Sequence, residues 1–194
     1  MMAQGLGRLA LDTLLAPRGV AERLLALNLT RESVATVFAL AVVLNGLVSG
    51  LVLVATGTTA LPIVLGPGLV TAIFAVILAA MIAAIGWIGR GLGGSGTTLQ
   101  IALLLSWVQI LRAFAQLAIL VAGALFGSAA MLLAVAVIIA GAWVLAHFID
   151  VAHGFADPWK AAMVLIMAFV VTAFALIAVM ASFDITPQTV ANHV

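Results

Sequence analysis

The sequence of 194 residues has no cysteine and very few charged side chains. Without cysteine, disulfides and thiolate metal sites are excluded. Only 7% of the residues are Asp, Glu, Lys or Arg, whereas 66% are hydrophobic. A water-soluble domain carries roughly 25% charged residues, because its whole surface faces water. The composition therefore predicts a protein whose surroundings are lipid.

No acidic residue lies between Glu32 and Asp150. This absence decides how the stretch GLGGSG at residues 91–96 is interpreted. This stretch matches the dinucleotide-binding pattern G-x-G-x-x-G, but that pattern needs a preceding strand and an acid about 20 residues later. The phosphate-binding alternative needs a lysine where Thr97 stands. We therefore expect no nucleotide and interpret the glycines as a tight turn that suits close approach of two helices. Thr97 or Thr98 is expected to cap the following helix.

Five apolar runs are each long enough to cross the roughly 30 Å hydrocarbon layer of a bilayer at about 1.5 Å per residue. We predict membrane-spanning helices over about 33–56, 69–88, 99–123, 129–149 and 160–183. They leave no soluble domain large enough to fold alone. The predicted fold class is an all-α integral membrane protein, a bundle of five transmembrane helices that forms one domain over 33–183 and is followed by an outer tail at 184–194.

Residues 1–32 form a lead-in that mixes leucine pairs with Arg and Glu around Pro17. This pattern predicts one or two short amphipathic helices on the cytoplasmic leaflet. Six cations lie before or between the spans, at Arg8, Arg18, Arg23, Arg31, Arg90 and Lys160. Five alternating spans place all six on one side, which the positive-inside rule assigns to the cytoplasm. The N-terminus is therefore predicted inside and the C-terminus outside.

A polar stripe crosses the third predicted span, where Gln109, Arg112 and Gln116 fall within about 60° on a helix. A cation at mid-membrane normally faces protein or water and has a partner. Asn45 of the first span matches Arg112 in depth but carries no charge, and no acid lies at that level. Three interpretations stay open: bonding to amides and carbonyls between helices, binding of an anion or lipid phosphate, and pairing with an acid of a partner subunit.

The second candidate cluster is His147, Asp150 and His153 at the inner end of the fourth span. Histidine and carboxylate together are typical of metal sites and proton relays. The two imidazoles point about 120° apart on one helix, however, so the spacing also fits a polar helix end that meets water and headgroups. No set of residues points to a hydrolase, a glycosidase or a nucleic-acid binder. We expect a protein that is not an enzyme and has no cofactor.

The five spans, the lead-in APRGVAERLLAL and the Gly-rich loop that runs into LGGSGTTLQIALLLSWVQILR resemble the Yip1 family, especially its compact bacterial members. The resemblance implies a five-helix protein of the bacterial inner membrane and, for eukaryotic members, association with small Rab GTPases and vesicle trafficking. We therefore expect action through contacts in the membrane, with lipids, a second copy or other membrane proteins as partners. The alternative is a small transporter or a lipid- or anion-translocating protein, with Arg112, Asn45, Gln109 and Gln116 lining the path.

Overall fold

The computed structural model describes residues 2–57 and 67–182, and these residues form helices and connecting turns without a strand. The helices are α1 (Met2–Leu15), α2 (Pro17–Ala26), α3 (Arg31–Thr56), α4 (Pro67–Gly91), α5 (Thr98–Phe126), α6 (Ala129–His153) and α7 (Pro158–Ser182). Helices α3 to α7 are long and apolar enough to cross a membrane. The predicted all-α fold with five transmembrane helices is therefore confirmed. The predicted outer tail and the end of the fifth predicted span at 183 lie outside the described residues.

Polar caps fix where two of the long helices begin. The hydroxyl of Thr97 accepts a hydrogen bond from the backbone N–H of Gln100, whose side-chain oxygen accepts one from the N–H of Thr97. This reciprocal pair starts α5 at Thr98, because it satisfies N–H groups that have no partner within the helix. At the start of α7 the carboxylate of Asp157 accepts a single hydrogen bond from the backbone N–H of Trp159. The predicted cap at Thr97 is confirmed.

The five long helices pack in the circular order α3, α5, α6, α7, α4, with α4 against α3, and α4 also contacts α5 and α6 across the bundle. The first residues of α3, α5 and α7 and the last residues of α4 and α6 lie at the same end. We call this the basic end, because Arg31, Arg90 and Lys160 are there. Its assignment to the cytoplasmic side stays a prediction.

Buried side chains are concentrated in the half of the bundle next to the basic end. In each helix one buried residue lies farthest from the basic end: Val48 in α3, Leu78 in α4, Ala113 in α5, Val144 in α6 and Thr172 in α7. They lie about 14 to 25 Å from the helix ends at about 1.5 Å per residue. Beyond them no side chain of the described part is buried. The far half is therefore packed only through partly exposed residues.

The lead-in forms two helices, of which α2 packs on the bundle; their placement on the cytoplasmic leaflet stays a prediction. Helix α2 contacts α5 and α6, and it buries Val20, Ala21 and Leu24 on one face. Its polar face, with Glu22 and Arg23, is exposed. An amphipathic helix needs one apolar partner, and for α2 that partner is the bundle rather than lipid.

Candidate intramembrane anion site

Arg112 lies midway between Thr98 and Phe126, the two ends of α5, about 21 Å from each at about 1.5 Å per residue. Its side chain is exposed. Nη1 donates to the Oε1 atom of Gln109 at 3.4 Å, and Cζ lies 5.7 Å from the centre of the Phe74 ring in α4. A bond of this length is weak. The guanidinium therefore keeps most of its hydrogen-bonding capacity free.

The side chain of Arg112 is on the face of α5 that points into the bundle. On a helix with 3.6 residues per turn it lies within about 20° of the buried residues Ile101 and Leu105. The exposed residues Phe114 and Val121 lie on the opposite face beyond the level of Arg112, whereas Leu103, nearer the basic end, is buried on that same face. The guanidinium is therefore directed toward α4, where it stays exposed.

Two amide side chains near this level of the bundle have unpaired oxygens. Asn45 of α3 is buried, and its Nδ2 donates to the carbonyl oxygens of Ala41 at 2.8 Å and Gln109 at 2.9 Å. Its Oδ1 atom is buried without a donor, as is Oε1 of Gln116, among the residues that the structure describes. Each such acceptor costs about 1–3 kcal/mol if nothing fills it. Gln109 thus links Asn45, which bonds to its carbonyl oxygen, with Arg112, which bonds to its side chain.

No carboxylate pairs with Arg112 within residues 2–57 and 67–182. Asp150, the acid nearest to Arg112 along the sequence, is fully buried against Arg18 of α2, whose Nη1 lies 3.0 Å from its Oδ2. Its Oδ1 accepts the backbone N–H of Asp157 at 3.0 Å. Asp150 therefore joins α2, α6 and the turn before α7. The sequence did not reveal this pair, because hydropathy and spacing do not show where the lead-in packs.

His153 fills a cradle formed by three glycines around the α4–α5 turn. The residue is 2% exposed, and its Nδ1 lies 3.1 Å from the carbonyl oxygen of Ile149. A Cβ added to Gly94 would lie 2.5 Å from the imidazole Cδ2, one added to Gly96 would lie 2.9 Å away, and one added to Gly89 would overlap Nε2. Gly94 and Gly96 of GLGGSG, with Gly89 before that stretch, therefore make room for an imidazole ring, while Gly93 with its positive φ forms the expected turn.

His147 does not join Asp150 and His153. Its Nδ1 lies 2.9 Å from the carbonyl oxygen of Trp143, and its ring packs on that indole with 4.1 Å between the ring centres. No group of three or more His, Cys, Asp or Glu residues in the described part of the chain could hold a metal ion. The three residues have separate partners and do not form such a group, while the proton-relay interpretation stays a prediction.

The comparison with protein families gives one result that covers most of the chain. A family model described as the Yip1 domain matches residues 11–180, from within α1 to near the end of α7. Neither the comparison with curated proteins nor that with solved structures finds a match. With five span-length helices within the matched region, the chain belongs to the Yip1 family and is an integral membrane protein.

Proposed function

We propose that this Yip1 protein is not an enzyme and acts through contacts inside the membrane, binding an anionic molecule at Arg112. The observation that carries the proposal is a mid-depth cation that is exposed on the inward face of α5. A charge at that depth costs about 2.5–3.5 kcal/mol on insertion scales unless it is compensated. A counter-charge is therefore favourable. The basic end would face the cytoplasm of a bacterial inner membrane.

A second copy of the chain is poorly suited to supply that counter-charge. The sequence has no Asp or Glu between Glu32 and Asp150, and Asp150 and Asp157 lie at or beyond the end of α6. None of these carboxylates reaches the depth of Arg112 in an aligned neighbour. Asp184 lies outside the described residues and the described acids are all too shallow, so we expect the counter-ion to come from another molecule.

The groups around Arg112 indicate the chemistry of the ligand. A guanidinium presents five N–H donors in a planar fork that matches carboxylate and phosphate groups. The unpaired oxygens of Asn45 and Gln116 accept hydrogen bonds but cannot donate. Both atoms are buried, so we expect the guanidinium to recognise the ligand through a phosphate or carboxylate group. A phospholipid headgroup and a small organic phosphate share this chemistry.

Passage of the same anion through the bundle is the second candidate function, because Arg112 is exposed on the inward face of α5. On the basic side of Arg112, however, α5 presents the buried residues Leu104, Leu105 and Ser106. This layer would have to open for transport, so the arrangement favours binding over passage. Anion or lipid flux in reconstituted vesicles separates the two functions.

We expect the variant Arg112→Leu to lose an anionic ligand that the wild-type protein retains in native mass spectra of detergent-purified material. A hydrogen bond to a charged group contributes about 1.5–3 kcal/mol, so occupancy should fall roughly tenfold or more. The mass of the retained species distinguishes a lipid from a small anion. Arg112→Lys keeps the charge but not the fork, and should retain an intermediate occupancy.

Arg8→Leu is the matched control, since it removes the same charge from the exposed part of α1. It should leave the ligand in place. Equal occupancy in wild type and Arg112→Leu, with both variants folded, would refute the proposal. An equal loss in Arg8→Leu would do the same, because binding would then depend on general positive charge.

A further inference from the structure

The end of α1 carries leucines that no part of the described protein covers. Leu11, Leu14 and Leu15 are 62%, 51% and 84% exposed. Their spacing of three and four residues places them on one side of the helix. Because α2 has already buried its own apolar face against the bundle, this strip is apolar surface of the lead-in that still lacks a partner.

A hydrogen bond fixes the depth of this strip. The indole Nε1 of Trp107 in α5 donates to the hydroxyl of Thr13 at 3.1 Å, and Thr13 is fully buried. Trp107 lies about 14 Å from the start of α5 at about 1.5 Å per residue. Helical side chains lean toward the N-terminus, which makes the contact somewhat shallower. The end of α1 therefore lies beside α5, at a level within that membrane-spanning helix.

The charges near the turn between α1 and α2 are all paired, as a low-dielectric environment requires. Asp12 lies 3.2 Å from Arg23 of α2, and Arg18 lies 3.0 Å from the buried Asp150. The residues between Asp12 and Arg18 carry no charge, and the sequence there is TLLAP. The turn can therefore lie in hydrocarbon without exposing an unpaired ion.

We infer that the α1–α2 hairpin is a wedge inserted into the leaflet at the basic end, with Leu14 and Leu15 among the acyl chains. Two polar contacts, the Thr13–Trp107 hydrogen bond and the Arg18–Asp150 ion pair, hold it to the bundle together with the buried apolar face of α2. Its partner is the lipid surface itself. Such a wedge adds volume to one leaflet only, and the binding of amphipathic helices at this level is sensitive to membrane curvature.

The test uses the absence of native cysteine, which makes a single introduced thiol unique. Leu15→Cys, labelled with an environment-sensitive fluorophore, is reconstituted as the full chain in phosphatidylcholine–phosphatidylglycerol vesicles. We expect quenching by lipids that carry a spin label on the acyl chain and little quenching by aqueous iodide. Glu22→Cys, on the exposed polar face of α2, is the matched control and should show the reverse.

Iodide quenching of the Leu15 label equal to that of the Glu22 label would overturn the inference. Protection of the Leu15 label from both quenchers would also overturn it, since protein rather than lipid would then cover the strip. Leu11→Cys, one turn earlier on the same strip, provides a second position should Leu15→Cys fold poorly. None of these outcomes depends on ligand binding at Arg112.

Discussion

Replacement of Gly89 by alanine should destabilise the protein strongly, even though alanine favours a helix by about 1 kcal/mol over glycine. The added methyl group would overlap Nε2 of His153 and approach its Cδ2 to 2.5 Å. The imidazole cannot move away easily, because it is buried, stacks on Phe155 and contacts the carbonyl oxygen of Ile149. Overpacking of this kind costs about 1–3 kcal/mol. Thermal unfolding in detergent should show a clearly lower midpoint.

Gly91→Ala is the control for this prediction, because Gly91 ends the same helix and an added Cβ would meet nothing within 4 Å. It should be neutral or slightly stabilising. His153→Ala removes the ring, so Gly89→Ala should cost much less in that background. Additive effects in the double variant would contradict the cradle, because residues in contact couple in such a cycle.

The span count could be predicted from the sequence, whereas the packing partners could not. A run of apolar residues records directly how much helix can lie in hydrocarbon. Periodicity gives the polar and apolar faces of a helix, but not the element that each face meets. For this reason α2 was correctly expected to be amphipathic, while its burial against α5 and α6 was not foreseen.

The two candidate clusters show the same limit at the level of side chains. Gln109 and Arg112 are neighbours because their spacing of three residues places them on one helix face. Whether that face is sealed or open depends on how five helices pack, which no local pattern contains. The three glycines beside His153 could have been noticed only as an unexplained excess in one turn, because their partner comes from another helix.

Arg18→Ala is expected to release the lead-in hairpin from the bundle. The change leaves the carboxylate of Asp150 buried without its cation. Loss of one partner of a fully buried pair costs about 3–5 kcal/mol. Because Arg18 is half-exposed and water can approach it, we expect a smaller loss of about 1–3 kcal/mol. Cleavage by protease between α2 and α3 should become faster, since the hairpin would leave the bundle more often.

Two comparisons separate the ion pair from a general loss of charge. Glu22→Gln removes the other carboxylate near Arg18, at 3.9 Å in an exposed pair, and should change stability by less than about 1 kcal/mol. Asp150→Asn keeps an oxygen for the N–H of Asp157 but removes the buried charge, so Arg18→Ala should have little further effect in that background. If Glu22→Gln accelerated proteolysis as much as Arg18→Ala, the pair with Asp150 would not be what holds the hairpin. We expect Arg18→Ala to accelerate proteolysis more than Glu22→Gln does. The reason is that the desolvation of the buried Asp150 carboxylate is compensated only while Arg18 is in place.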